Sequence, residues 1–475
     1  MSLASPDEPG AGAIVLEPGH DARPGAASRL LLGAALLLTG SALATGLALH
    51  GGVLPADRHR VTVVALAATA LWVAWLASGR HARTPSQVDF STLAWPFGLS
   101  SLALLSALWS IDRPASLWEG TLLLGSLPAF LAGSCLTQVG RPGWRDGTPD
   151  LPLRALSTIG MVLGAGSLFG YILESERWVQ VQSHATLLSG PFGYANAMAG
   201  LLLMTIPASL GWLALPETAG AWRVAAKVQR VVLWLGLAVQ LSALVLTASR
   251  AAMAILIGLL VVGQSLILPR RRARETVRRM RTKRVSAVFL AVAVVLVAAA
   301  AGLALWRVAG YVAGLWADLH DKTATADQNR LQTWYAAAQA AGRRPILGYG
   351  ADTFYSAYMP FRIPWSAPAR YAHNLFVQQW VELGVTGVGV LVGTLATLLA
   401  RPIARRHIGS STEPGFWLLG GISGVVLQNL VDVTWYFPAV YFLFLFAAGS
   451  LAAWSTPGTS NTAESGLDLF RDHGC

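Results

Sequence analysis

The sequence predicts an all-α, polytopic integral membrane protein with about 12 transmembrane helices. Three observations carry this. Hydrophobic residues make up 54% of the 475 and charged residues only 12%. Apolar blocks of about 18 to 25 residues recur along the chain, each long enough to cross a hydrocarbon layer of roughly 30 Å. In lipid the backbone must satisfy its own hydrogen bonds, so such blocks are helices. Third, the basic residues are clustered rather than spread. Nine of the 35 Lys and Arg residues fall between Arg270 and Arg284, between two apolar blocks. The formal charge of +11 is therefore a topology signal rather than a nucleic-acid footprint.

Residues 1–28 are rich in Pro, Gly, Ala and acids and show no apolar period. No basic stretch precedes a short apolar core, so the expectation is a disordered cytoplasmic tail rather than a cleaved signal peptide. The predicted spans are 29–50, 61–79, 91–110, 117–137, 153–173, 194–215, 229–247, 250–268, 285–307, 374–400, 415–431 and 435–455, and a second cytoplasmic tail is expected over 456–475. An even count puts both termini on one side. With that side cytoplasmic, the inner loops hold 20 Lys and Arg residues. The short outer loops hold five, namely Arg58, Arg60, Arg113, Arg177 and Arg250. The bias fits the positive-inside rule.

The large segment between the ninth and tenth spans, about 308–372, lies outside. Its middle, Asp327 to Gly342, reads as an amphipathic helix with Asp327 as N-cap and Leu331, Trp334, Tyr335 and Ala338 as the apolar face. Gly342 and Pro345 end it. Aromatics and three prolines between Phe354 and Tyr371 suggest a stiffened flap on the outer leaflet. Cys135 and Cys475 offer no disulfide framework or metal site, and Asp318, Asp321 and Asp327 form no tight acidic pair. No metal or cofactor is expected.

Charges at span ends are costly and need a reason. Arg250 follows a very short hairpin, Thr247-Ala248-Ser249, at the outer surface. It serves as an interfacial anchor or as a bidentate phosphate clamp. Arg330 opens the amphipathic helix; Arg343 and Arg344, at its end, read first as solvated charges. Asn196 lies at the outer end of the sixth span, where it caps the helix or touches a ligand. Asp432 is one of few outer acids between the last two spans. His373 opens the tenth span. In a continuous helix Gly384, eleven residues on, returns to within about 20° of its face, with Trp380 and Gly387 near the same line. A lone imidazole above a strip of small residues is more often structural than catalytic. With two or more arginines beside it, however, the group suits an amphiphile with a lipid tail and an anionic pyrophosphate head.

The run His373-Asn374, nine residues, Gly384, Val385-Thr386, Gly387 resembles the pattern of the O-antigen ligase and O-antigen polymerase superfamily of bacterial polytopic glycosyltransferases, and fits it without a gap. Thr247-Ala248-Ser249-Arg250, Arg330-Leu331-Gln332-Thr333-Trp334, Arg344-Pro345-Ile346-Leu347-Gly348-Tyr349-Gly350 and the stretch from Ser189 to Gly200 are similar to further family segments, as is Ser106 to Asp112. The resemblance covers nearly the whole chain after residue 28, with a ligase-related core at about 229–400. It implies a C-type glycosyltransferase-like fold in the bacterial inner membrane with its active site facing the periplasm.

The implied donor is an undecaprenyl-pyrophosphate glycan. The implied acceptor is a hydroxyl of lipid A-core or of another glycan or protein, reached without metal, cofactor or nucleic acid and with inversion at the anomeric carbon. His373 would be the general base, a role suited to a side chain that ordinarily titrates near neutrality. Arg250 and Arg330 would grip the pyrophosphate; Asn374, Gly384, Gly387, Asn196, Arg344 and Asp432 would support them. Ligase, repeat-unit polymerase and protein O-oligosaccharyltransferase overlap in this pattern. A flippase of lipid-linked glycans is the reading from another class, and it would place polar residues near the bilayer midplane.

Overall fold

A computed structural model describes residues 26–49, 55–77, 90–139, 150–173, 175–176, 178–182, 185–215, 223–274, 323–364, 366–404 and 414–455. Among these stand 13 α-helices and one small hairpin. The helices are α1 Ala26–Ala48, α2 Pro55–Ala77, α3 Phe90–Ser106, α4 Arg113–Val139, α5 Leu151–Ile172, α6 Ala195–Ala214, α7 Arg223–Leu246, α8 Arg250–Arg274, α9 Thr323–Arg343, α10 Phe354–Tyr358, α11 Leu375–Ala404, α12 Pro414–Gln428 and α13 Pro438–Ser455. Seven of them are long and apolar enough to cross a membrane, and α3, α8, α12 and α13 contain shorter apolar stretches. Helices therefore stand at eleven of the twelve predicted places. The ninth predicted span, 285–307, lies outside the described residues, as do residues 1–25 of the predicted tail 1–28, the predicted tail 456–475 and most of the basic cluster.

Small residues set the packing. A Cβ on Gly133 of α4 would lie 2.0 Å from the Phe446 carbonyl oxygen of α13. One on Gly449 of α13 would lie 1.9 Å from the carbonyl oxygen of Phe130. The two backbones meet at reciprocal glycines, the close approach by which helices associate where no water drives them together. Polar pairs bind the layer α5–α6–α7. Ser157 and Ser209 hydroxyls lie 2.8 Å apart, and the Gln240 amide donates to Ser209. Trp72 of α2 donates to Thr39 of α1.

The expected all-α class is borne out, with three departures in detail. First, an antiparallel hairpin, β1 Val179–Gln182 and β2 Ala185–Leu188, stands between α5 and α6, with Val179 opposite Leu188. It is too short to leave a periodic signal, and it serves α6, whose Ala195 N–H donates to the Gln180 side chain. Second, α9 begins at Thr323, so Asp327 lies within it and is not its N-cap. The predicted apolar face of α9 is not the face that packs on the protein: Leu331 and Tyr335 are 63% and 60% exposed, whereas Ala336, Ala337, Ala340 and Ala341 are buried. Periodicity cannot tell a core face from an outward apolar face, and a stripe of alanines lets α9 lie close to Phe354, Tyr358, Ala372 and Val381.

Third, the tenth span is not a continuous helix. Gly384 has φ 66° and ψ −164°, and α11 breaks there. The carbonyls freed by the break are taken by the segment after α9. Tyr349 N–H donates to Val381 O and Gly350 N–H to Glu382 O, while Val385 N–H donates to Pro345 O. A Cβ at Gly384 would lie 2.1 Å from Ile346 O. The glycine thus admits another backbone strand rather than a second helix under His373. Gly387 lies one turn past the break, tight against Leu383 of its own helix.

Candidate active site

His373 precedes α11 rather than lying in it. Its φ is 51°, in the left-handed region that non-glycine residues occupy at a cost. Its neighbours hold it there. Ala372 accepts a hydrogen bond from the Trp334 indole of α9 at 2.6 Å, and its N–H donates to Gln378 at 2.7 Å. Asn374 is the cap of α11: its side-chain oxygen accepts from the N–H groups of Phe376 and Val377. Its amide donates to Leu430 O, and Leu375 N–H donates to Asn429 O. The start of α11 is thereby bolted to the chain just before Asp432.

His373 Nδ1 faces the Asp432 carboxylate at 3.6 Å, an ion-pair distance longer than a hydrogen bond. Nδ1 is buried and makes no hydrogen bond among the described residues, and the His373 side chain is 30% exposed. Asp432 is buried and fully engaged. It accepts from the Tyr194 hydroxyl at 2.7 Å, from the Asn196 amide and from Val433 N–H. Burial, and then the carboxylate beside it, push the Tyr194 phenol well above its ordinary range, so it stays a donor. Gln428 holds the Asn196 carbonyl from α12. Of the predicted residues, His373, Asn374, Asn196 and Asp432 thus converge. Tyr194 was missed, although it lies within the quoted stretch from Ser189 to Gly200.

The arginines divide. Arg330 lies one helical turn before Trp334, on the same face of α9, and its charge acts on the Tyr194 phenol. It borders the His373 cluster. Arg250 is exposed at the first position of α8, after a hairpin whose Ala248 has φ 52°. Among the described residues its guanidinium has no hydrogen bond or ion pair. Leu203 of α6 and Leu259 of α8 both pack on Gly424. They lie eight and nine residues past the starts of α6 and α8, where Asn196 and Arg250 stand. Arg344 does not join: it reaches Trp109 O at 3.5 Å and stacks on the Tyr349 ring.

A second polar cluster lies beside the first. Arg58, counted above as an outer-loop charge, is buried in α2. Its Nη1 donates to Glu119 at 3.1 Å and to Asp352 at 3.0 Å, and Nη2 donates to Tyr436 O at 3.4 Å. Glu382 of α11, fully buried, accepts from Gln378 and from the Tyr436 hydroxyl. Tyr436 also accepts from Gln379, and its ring lies against Tyr371. The signal was present: Glu119 is a carboxylate inside a predicted span, which calls for a partner. Nothing in the sequence said that the partner was Arg58.

The fold and these clusters define a multi-pass membrane protein whose polar side chains gather where α2, α4, α6, α8, α11 and α13 begin and α12 ends. Among the described residues, three non-glycines with positive φ, Ala248, Asp352 and His373, lie in the loops there, and strained backbone of this kind concentrates at functional sites. Residues 235–392, from within α7 to beyond the break in α11, match the family model described as O-antigen ligase. The matched region contains the whole motif from His373 to Gly387 and supports membership of the O-antigen ligase superfamily. The match supports a function of the O-antigen ligase or polymerase type in general, a type that implies a lipid-linked glycan and an acceptor as substrate classes. No curated protein matches the chain.

Proposed function

We propose that the protein transfers a glycan from undecaprenyl pyrophosphate to an acceptor hydroxyl, on lipid A-core or a similar glycan, at the outer face of the bacterial inner membrane. The observation that carries this is the pairing of His373 with a buried, hydrogen-bonded Asp432. A carboxylate behind one imidazole nitrogen leaves the other free to take a proton, and it stabilises the imidazolium that forms. The 3.6 Å gap is of the kind that closes when substrate binds.

In the reaction, His373 removes the proton of the acceptor hydroxyl. The oxygen attacks the anomeric carbon as the bond from that carbon to the pyrophosphate oxygen breaks. One C–O bond forms and one is lost, with inversion, and undecaprenyl pyrophosphate leaves with the negative charge. Arg330 and Arg250 meet that charge, so the mechanism calls on no metal. Asn196 and Tyr194 keep Asp432 in place, Asn374 fixes the start of α11, and Gly384 lets the 345–350 segment dock. Transport of a lipid-linked glycan is the weaker reading, since these groups gather at helix ends rather than near the middle of the spans.

Helix α8 supports this orientation. It starts at Arg250 and runs 25 residues, about 37 Å, towards the basic cluster at Arg270–Arg284. A cytoplasmic cluster puts the site outside. The test is complementation of a deletion strain with wild type and His373→Ala, with surface glycans resolved on a gel. Loss of long-chain glycan with normal protein abundance is expected; a ladder equal to wild type would end the proposal for His373.

A further inference from the structure

A cavity of about 340 Å³ opens beside the chain segment that carries His373. Asp112, Ala115, Asp352, Phe354, Tyr355, Arg370 and Gln378 line it. Its volume is at the lower end of the range of about 300–1,000 Å³ for ligand sites. Arg370 precedes His373 by three residues, so their α-carbons are within about 11 Å of each other. Gln378 follows His373 by five, and it holds the Ala372 N–H. A ligand here would lie against the two ends of the loop that presents the imidazole.

The polar walls are prearranged. Asp352 is anchored through one oxygen by the buried Arg58 guanidinium, and its other oxygen takes no protein hydrogen bond among the described residues. Asp112 receives Ala115 N–H on one oxygen and is otherwise exposed. Gln378 is fully buried, with its amide oxygen on Ala372 N and its nitrogen on Glu382. Tyr355, 46% exposed, offers a ring face with a hydroxyl at its edge. Groups held in place before binding lose little freedom when a ligand arrives.

The lining also selects. Asp112 and Asp352 are balanced by Arg370 and by Arg58 behind Asp352, so the wall has no excess of positive charge to hold a pyrophosphate, which Arg250 and Arg330 suit instead. Carboxylate oxygens accept from neighbouring hydroxyls, a guanidinium donates to ring and hydroxyl oxygens, and a tyrosine covers an apolar sugar face. We propose that this cavity is the acceptor subsite and takes a polyhydroxylated carbohydrate, which it holds beside the loop that carries His373. The assignment rests on the glycan-transfer reading above.

The experiment uses full-length protein in detergent and, as probe, the core oligosaccharide released from lipid A by mild acid. Binding without donor is followed by saturation-transfer NMR, and transfer kinetics are measured with donor present. Asp112→Asn combined with Arg370→Gln alters two exposed side chains and leaves the Asp112 cap possible. Ala115→Leu fills the cavity from its wall by a separate route. Each is expected to raise the acceptor concentration for half-maximal transfer by about tenfold, the worth of one good polar contact, with donor half-saturation and limiting rate unchanged. Acceptor half-saturation equal to wild type, a parallel shift for donor, or no oligosaccharide binding to wild type would each overturn the subsite. Oligosaccharide binding that the variants weaken, with no transfer by wild type, would keep the subsite and sink the transfer reading.

Discussion

Gly384 and Ile346 are in backbone contact: a Cβ on the glycine would lie 2.1 Å from the Ile346 carbonyl oxygen. This contact, between the broken tenth span and the end of the outer segment, fixes the platform from which His373 projects. With φ 66° and ψ −164° the position belongs to glycine alone. Gly384→Ala is expected to undock residues 345–350, lower the thermal transition of the detergent-purified protein and abolish glycan transfer. Gly389→Ala, five residues on, meets nothing within 4 Å and is the control that should behave as wild type.

Asp432→Asn keeps the size of the side chain and removes its charge. The expected outcome is a fall in kcat of about 10²–10⁴-fold with acceptor KM little changed, because the lost interaction is made with the imidazolium of the transition state. Steady-state transfer by purified protein measures it. A variant within twofold of wild type would remove Asp432 from the mechanism.

Tyr194→Phe deletes one of the donors to Asp432 and leaves a buried carboxylate under-satisfied, at a cost of about 1–3 kcal/mol. The wild-type phenol is raised by burial and by the carboxylate. A raised phenol pKa favours the neutral form, so the donor persists up to and beyond the ordinary phenol range near pH 10. Transfer by the variant should therefore be slower by about tenfold or more, with a pH profile of the same shape as wild type between about pH 7 and 10. A wild-type alkaline limb in that interval that vanishes in the variant would contradict this.

Arg58→Met strands Glu119 without its cation. Breaking a buried ion pair from one side costs about 3–5 kcal/mol, so the thermal transition should fall clearly. Arg58→Met combined with Glu119→Gln should recover much of the loss, and a double-mutant cycle on thermal stability gives the coupling. Equal damage in the single and double variants would show that the pair is not the source.

The reciprocal glycines of α4 and α13 give a packing prediction. Gly133→Val or Gly449→Val drives a side chain into a carbonyl oxygen 1.9–2.0 Å from its Cβ, so the expected result is little folded protein in the membrane fraction on immunoblotting. Gly258→Val on α8, where nothing lies within 4 Å, should be tolerated.

Much of this was legible along the chain. Helices stand at eleven predicted spans because lipid tolerates one kind of backbone and an apolar run of sufficient length declares it. The His373 motif was legible because its residues are close in sequence and each acts locally. Asn374 caps α11, and Gly384 adopts a conformation only glycine accepts easily. The face on which α9 packs was not legible because Leu331 and Tyr335 follow the helical period just as the alanines do.

The partnerships were not legible. Asp432 is 59 residues from His373 and Tyr194 lies far upstream, just before another helix, so no spacing links them. Arg58 looked like a topology marker until α4 brought Glu119 and the outer segment brought Asp352. Composition and local period, by themselves, determined that the chain is a bundle of membrane helices with an imidazole at one end. Which carboxylate stands behind that imidazole, and which arginine is buried rather than free, was decided only by how the helix ends meet, since charges in an apolar bundle take their partners from whatever packing places within a few ångströms.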